Sequence, residues 1–112
     1  MIKRVKTKDA PKAIGVYSQG SIFGNLVFTS GQIAINPKNG NLVTDNFSAE
    51  VEQVLENIKS VLEAGGSNVD NIVKLTVFVT DMSNFKFVNE VFESFFTDEY
   101  PARSVVEVSC LP

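Results

Sequence analysis

Apolar and polar residues alternate along the first third of the chain, with the period of two that is typical of β-strands. Residues 2–7 give a weak strand signal of this kind. Residues 21–30 predict a β-hairpin, because two apolar runs flank the turn dipeptide Gly24-Asn25. Residues 33–35 continue extended into a polar loop at 36–41 that is rich in turn formers.

From residue 48 the apolar period changes to that of an α-helix. Ser48 is the predicted N-cap of this helix, and the pair Gly65-Gly66 is its predicted end. The apolar residues that recur every three or four positions are Val51, Val54, Leu55, Ile58, Val61 and Leu62. The opposite face is charged, and we interpret it as a solvated helix surface.

The second half of the chain predicts another strand, another helix and a final strand. Residues 72–80 alternate and are rich in β-branched side chains, which indicates a strand. Residues 81–83 are expected to cap the second helix. The apolar stripe of that helix comprises Phe85, Val88, Phe92, Phe95 and Phe96. Pro101 disfavours helix for its neighbour and restarts the chain as an extended segment over residues 103–108.

These elements occur in the order β-β-β-α-β-α-β, which predicts an α+β fold made of a single domain over residues 1–112. We expect a sandwich in which two helices cover one face of a mixed β-sheet through right-handed crossovers. The pattern predicts no further helix for the other sheet face. Self-association through that face is therefore predicted.

Composition narrows the range of partners. The 112 residues are 44% hydrophobic and carry a formal net charge of -3, with a pI near 4.9. This acidic balance argues against a general nucleic-acid or anionic-membrane surface. We interpret the basic N-terminal segment as protection of an edge strand rather than as an RNA site. No apolar run reaches transmembrane length and no apolar leader follows the basic start, so we expect a cytoplasmic protein.

Two residue types that carry much enzyme chemistry are scarce: histidine is absent, and Cys110 is the one cysteine. His-based triads, Cys/His nucleophilic pairs, Cys/His zinc sites and intrachain disulfides are therefore excluded. Cys110 itself is expected to be a small packing residue. Any catalysis must come from Arg, Tyr, Ser, Asn, carboxylates, backbone groups and water.

Arg103 stands at the start of the last predicted strand, which is otherwise largely apolar. Alternation puts Val105 and Glu107 on its face of the strand. The opposite face, formed by Ser104, Val106 and Val108, is expected to pack onto the core. Most arginines are solvated, but a guanidinium beside an apolar pocket matches a carboxylate with its rigid fork of N–H groups. Arg103 is therefore either an exposed charge at a strand entry or an anchor for a small organic acid.

Ser30 and Asn89 are two further candidate positions. The hydroxyl of Ser30 ends a strand directly before Gly31, where it either forms a turn or is aimed with a backbone N–H at a ligand oxygen. Asn89 falls inside the aromatic stripe of the second helix. A buried amide needs partners, so Asn89 either satisfies backbone groups of a neighbouring loop or helps to fix the Arg103 site.

Several blocks, spread from end to end of the chain, resemble the RidA (YjgF) family. The resemblance rests on residues 15–19, 28–33, 88–96 and 101–108, with Asn57 and Gly65-Gly66. It implies a chorismate-mutase-like fold assembled as a homotrimer, with the sheets lining a central barrel and the helices outside. It also implies a ligand cleft at each subunit interface.

The activity implied by the resemblance is the hydrolytic deamination of reactive enamines and imines, such as 2-aminoacrylate and 2-iminobutanoate, to 2-keto acids and ammonia. Neither a cofactor nor a metal is implied. Arg103 would be the catalytic residue that holds the substrate carboxylate. Tyr17, Ser30, Gly31 and Val105 would line the cleft, with Asn89 in support. Two alternatives remain open: a single-stranded endoribonuclease or translation inhibitor, and a non-catalytic regulator that binds small carboxylates.

The chain also departs from the family pattern. Val16 replaces a usual Pro and Gly20 a usual Ala, and both changes are expected to loosen the loop that carries Tyr17. Family members typically continue past Leu111-Pro112 into one more strand, whose glutamate is thought to activate water. We expect that strand to be missing here. Glu107 is a poor substitute, since four residues of extended strand place it roughly 13 Å from Arg103.

Overall fold

The computed structural model describes residues 1–112 and contains five strands and two α-helices. In chain order they are β1 (Lys3–Val5), β2 (Gly20–Phe23), β3 (Leu26–Thr29), α1 (Phe47–Ala64), β4 (Lys74–Val79), α2 (Phe85–Phe95) and β5 (Ala102–Glu107). The predicted element order is confirmed. Neither helix combines the length and the apolarity that a membrane crossing requires.

Backbone pairing divides the strands between two sheets. The antiparallel sheet has the order β1-β2-β3, and the second sheet pairs β4 with β5 in parallel. The prediction of one mixed sheet was wrong in this respect, although both kinds of pairing occur. A tight turn forces antiparallel pairing of β2 with β3, and the crossover through α2 forces parallel pairing of β4 with β5. Neither local rule specifies how the two sheets join.

Helix α1 begins earlier than the sequence predicted. Asn46, not Ser48, is the N-cap, because its side-chain oxygen accepts a hydrogen bond from the Ala49 N–H at 2.8 Å. Ser48 is thereby included in the first turn. The predicted end is confirmed, since Gly66 adopts a φ of 85° and donates its N–H to the carbonyl of Glu63.

The start of α2 is connected to the end of β5. Asp81 accepts a hydrogen bond from the Ser83 N–H at 2.9 Å and so caps a 3₁₀ turn, Met82–Asn84, that leads into the helix. Glu107 accepts from the Met82 N–H at 2.8 Å. Asp81 therefore caps the turn rather than α2 itself, and the Glu107 carboxylate is already engaged with the backbone.

The main core lies between the two helices and the β4-β5 sheet. Its buried members are Leu55, Val79, Val88, Val91, Phe92 and Phe96. Val105 packs against this core, whereas Val106 on the other face of β5 is 40% exposed. The prediction that the Val106 face packs inward was wrong. The parallel register places Val105 beside Val77, and this pair shares the side that faces the helices.

The strand faces turned away from the helices expose large apolar side chains. They are Phe23, Leu26, Phe28, Phe78 and Val106. This is the uncovered sheet surface that the sequence predicted. Cys110 is exposed as well, contrary to the expectation of a packing role, because it follows β5 where the chain leaves the sheet.

Candidate functional site

Arg103 projects from β5 toward helix α2 and is half-buried. The central carbon of its guanidinium lies 5.0 Å from the ring centroid of Phe92 and 5.3 Å from that of Phe85. Both distances are within the range of cation–π attraction. Arg103 is thus held against aromatic rings and is not a freely solvated charge at a strand entry.

The guanidinium forms no ion pair with an acidic side chain of the chain. Every buried side-chain nitrogen and oxygen has a hydrogen-bond partner. The guanidinium nitrogens of Arg103 form no hydrogen bond within the chain, so they cannot be among the buried atoms and must be accessible to solvent. Arg103 therefore presents a permanent positive charge and unused N–H donors, the combination that binds a carboxylate.

Asn89 lies on the same helix face as the two rings, four residues after Phe85 and three before Phe92. It is half-buried, and its amide forms no hydrogen bond to a neighbouring loop. The interpretation in which Asn89 satisfies loop backbone is therefore not supported. Its position next to the rings that contact Arg103 fits the second interpretation, a polar group beside the Arg103 site.

Val105 completes this group from the strand side. It follows Arg103 by two residues on the same face of β5 and packs against the main core. Two residues of strand span roughly 7 Å, so Val105 is the next side chain along that face of β5. We call Phe85, Asn89, Phe92, Arg103 and Val105 the arginine cluster.

A second group forms where β3 ends. The Ser30 hydroxyl donates to the Ser18 carbonyl at 2.5 Å, and the Ser30 N–H donates to the Gln19 carbonyl at 2.9 Å. Tyr17, beside Ser18, is 49% exposed, and its hydroxyl accepts a long hydrogen bond of 3.4 Å from the N–H of Ile14. The Ser30 hydroxyl proton is thus used to fix the loop that carries Tyr17.

Gly31 follows directly and is exposed, with open space where a side chain would project. We call Tyr17, Ser18, Ser30 and Gly31 the loop cluster. No hydrogen bond joins the loop cluster to the arginine cluster within one chain. Arg103, Asn89 and Val105 thus belong to α2 and β5, while Tyr17, Ser30 and Gly31 lie around the end of β3, and neither β2 nor β3 is among the elements that pack extensively against α2 or β5.

Gly20, which was expected to loosen the Tyr17 loop, lies in a strand where there is no room for a side chain. It is a buried residue of β2, and an added Cβ would lie 2.8 Å from the carbonyl oxygen of Phe28 and 3.1 Å from Val61. The contact with the Phe28 oxygen is closer than Cβ atoms essentially ever show, so a side chain here would require the backbone to move. In this chain the missing side chain lets β2 approach β3 and α1 closely.

Two buried amides that the sequence did not single out as functional hold the segments around the loop cluster. Gln19 accepts from the Thr7 N–H at 2.7 Å and donates to the Pro11 carbonyl at 2.9 Å. Asn57 of α1 donates to the carbonyls of Ile33 and Ile35 at 3.1 and 2.9 Å. The sequence contained one indication of the role of Asn57: it is a polar residue at a position of α1 that the helical period assigns to the apolar face.

Two surface pockets are lined by no residue of either cluster, although Phe96 in the first one contacts Phe92. One is lined by Val69, Ile72, Phe96 and the segment 97–101, and the other by residues 46–48 with Phe87. No three His, Cys, Asp or Glu side chains converge in a group that could hold a metal ion. The chemistry of the candidate site thus depends on one cation, amide and hydroxyl groups, and backbone N–H groups.

Comparison with known proteins gives consistent results. The family model described as endoribonuclease L-PSP matches residues 7–112. A 2-iminobutanoate/2-iminopropanoate deaminase of Escherichia coli strain K12 is 49% identical over 115 residues, which cover 100% of this chain and 89% of the relative. The similarity therefore extends through both clusters.

Solved structures show the same architecture. The YjgF gene product of Escherichia coli superimposes with a TM-score of 0.94 at 48% identity, covering 98% of this chain and 88% of that one. Escherichia coli TdcF with bound serine gives a TM-score of 0.94 at 42% identity, with the same coverage of 98% and 88%. The small α+β fold with two helices is confirmed by these neighbours.

Proposed function

Because this chain belongs to the endoribonuclease L-PSP family and resembles a 2-iminobutanoate/2-iminopropanoate deaminase along its whole length, we propose that it is an imine deaminase. Its substrates would be small 2-imino acids, and its products the corresponding 2-keto acids and ammonia. The observation that carries the proposal is this full-length similarity. The arginine cluster supports it, since each such substrate bears a carboxylate.

Arg103 would bind the substrate carboxylate through two N–H groups, and this would fix the adjacent imine carbon beside Asn89 and Val105. Water then adds to the carbon of the C=N bond while the nitrogen gains a proton, which forms a carbinolamine. The C–N bond breaks with its electron pair on nitrogen, ammonia leaves after a further proton transfer, and the hydroxyl becomes the carbonyl. One water is consumed for each ammonia released.

This reaction suits a site without histidine or a thiol nucleophile. An imine carbon is already electrophilic, so the protein has to orient the substrate, favour protonation of nitrogen and admit water. Positioning alone can supply a large part of a rate enhancement. The Gly31 N–H and the Asn89 amide are the groups we propose for orienting the water and the imine nitrogen.

We also propose that the protein acts as a homotrimer in which each site combines two chains. The loop cluster and the arginine cluster are separate in one chain, while large apolar side chains are exposed on the strand faces. Association through these faces would bury apolar surface and bring the loop cluster of one copy to the arginine cluster of the next. The clefts would then lie at the subunit interfaces.

The test generates 2-iminobutanoate in situ with a threonine dehydratase and measures how fast 2-oxobutanoate appears. The wild-type protein is expected to accelerate release, and Arg103→Ala to lower kcat/KM roughly 100-fold, because two charge-assisted hydrogen bonds are lost. Arg4→Ala is the matched control, since Arg4 is exposed on β1 and hydrogen-bonded only to Ser21. No acceleration by the wild type would reject the deaminase.

Two alternative functions give different results in the same samples. A regulator that binds small carboxylates would bind 2-oxobutanoate through Arg103 without accelerating imine hydrolysis. A single-stranded endoribonuclease would cleave RNA, and cleavage that persists in Arg103→Ala would place that activity outside the arginine cluster. The net charge of -3 and the lack of an aromatic stripe among the basic residues favour the deaminase over this last function.

A further inference from the structure

We infer that Phe85 and Phe92 are positioning residues, which hold the Arg103 guanidinium in the orientation that receives the substrate carboxylate. The inference rests on the proposed function and adds two residues to its machinery. It starts from one observation: a single guanidinium carbon lies about 5 Å from two ring centroids of the same helix.

Both rings contact the same cation although they lie two turns apart on the helix. Phe85 and Phe92 are seven residues apart in α2, which corresponds to about 10.5 Å along the helix axis. The guanidinium carbon is nearly equidistant from the two ring centroids, at 5.3 Å from Phe85 and 5.0 Å from Phe92. Two rings thus attract the same cation, and together they restrict the orientations of its long side chain more than one ring would.

Aromatic rings suit this task better than a carboxylate would. A ring face attracts the positive charge but accepts no hydrogen bonds from the N–H groups at the edge of the guanidinium. Those donors therefore stay free for a substrate. An acidic side chain would instead occupy the same donors and compete with the substrate carboxylate. The absence of such an acidic partner for Arg103 agrees with this arrangement.

Core packing accounts for Phe92 more fully than for Phe85. Phe92 belongs to the buried core, whereas Phe85 is 37% exposed. Phe85 lies in the first turn of α2 and leaves part of its ring exposed, so burial in the core is not the whole reason for its position. Its contact with the Arg103 guanidinium supplies another.

The experiment compares Phe85→Leu, Phe85→Tyr and the control Phe87→Leu in the deaminase assay. Leu keeps the apolar bulk but removes the ring, while Tyr keeps the ring. Phe87 lies on the same helix and contacts Lys86 and Phe47 instead of Arg103. Phe85→Leu is expected to raise KM roughly 2- to 5-fold, the size of one cation–π contact, with kcat nearly unchanged. Phe85→Tyr should restore the wild-type KM, and Phe87→Leu should not alter it.

A second readout does not depend on activity. In ligand-free protein, the Arg103 Hε proton is expected to carry a ring-current shift, which NMR measures, and Phe85→Leu should change this shift while Phe87→Leu leaves it in place. An unchanged shift in Phe85→Leu, or a wild-type KM for that variant, would overturn the inference. If the wild type hydrolyses no imine, the proposed function fails, and the NMR comparison alone decides whether the two rings hold Arg103.

Discussion

Arg103 carries its charge in a half-buried position without an acidic partner in its own chain. Partial burial of a cation costs free energy, and two cation–π contacts offset only a part of that cost, at about 0.5–1 kcal/mol each. Under the proposed function, a bound substrate carboxylate would recover the remaining cost.

The identity of the cation matters as well as its charge. Arg103→Lys keeps the charge but removes the planar fork and its stacking on the rings. We expect kcat/KM for 2-iminobutanoate to fall roughly 10-fold or more, because one charge-assisted hydrogen bond and the ring contacts are lost. Steady-state kinetics check this, with Arg4→Lys as the control. Wild-type kinetics for Arg103→Lys would show that only the charge is needed.

At the scale of elements, the sequence predicted what local rules determine. Helical periodicity located α1 and α2, and the Gly24-Asn25 turn located the hairpin. The sequence pattern could not show which face of β5 packs inward, because valines occur on both faces. The inner face is set by the pairing register, which places Val105 beside Val77. Phe85 was assigned to an apolar stripe, since periodicity does not distinguish a core ring from one that contacts a cation.

Asn57 is the side chain that joins α1 to the segment after the loop cluster. Replacing Asn57, which is 1% exposed, by Leu would leave the carbonyls of Ile33 and Ile35 without their donors. We expect a loss of about 2–4 kcal/mol in the free energy of unfolding, measured by urea denaturation. The neighbouring exposed position gives the control, and Glu56→Leu should change stability by no more than about 0.5 kcal/mol. A loss below about 1 kcal/mol for Asn57→Leu would contradict this role.

The 3₁₀ turn before α2 should respond to acid through Asp81. Hydrogen bonds from the side chain and backbone of Ser83 hold the pKa of Asp81 below its ordinary value of 3.8. The ionised carboxylate is thus favoured by folding, so its contribution to stability is complete above pH 3.8 and is lost as the pH falls through the lower folded value.

Asp81→Asn keeps an accepting oxygen for the cap but cannot titrate. Relative to this variant, the wild type is expected to lose stability as the pH is lowered below 3.8, and urea midpoints measured between pH 6 and pH 2.5 check the difference. The result against this account is a stability difference between the two proteins that stays constant over the whole pH range.

At the scale of the whole molecule, the question is how the two clusters meet. The sequence predicted both sets of residues, yet it contains no rule for how the β1-β2-β3 sheet approaches β4 and β5. The placement of Asn89 on the helix face of Phe85 and Phe92 followed from helical spacing, whereas no local pattern indicates where Tyr17 and Ser30 lie relative to Arg103. We propose that the loop cluster of one chain meets the arginine cluster of another when copies of the protein associate.

A charge on the exposed sheet face should disrupt that association. Phe28 is 58% exposed, so Phe28→Glu is expected to leave the chain folded but to convert a trimer of about three times 12.3 kDa into monomers. Light scattering after size-exclusion chromatography measures the mass, and circular dichroism checks the fold. Deaminase activity should fall together with the trimer, while Asn39→Glu in an exposed loop should affect neither. A monomeric wild type with full activity would reject the shared site.

The most direct test of the account compares two ligands that differ only at the anionic end. Calorimetry measures the Kd of 2-oxobutanoate and of the neutral 2-oxobutanamide for the wild-type protein and for Arg103→Ala. We predict that the wild type prefers the acid by roughly 10-fold or more and that this preference disappears in Arg103→Ala. A preference for the acid that survives the loss of Arg103 would contradict the central claim.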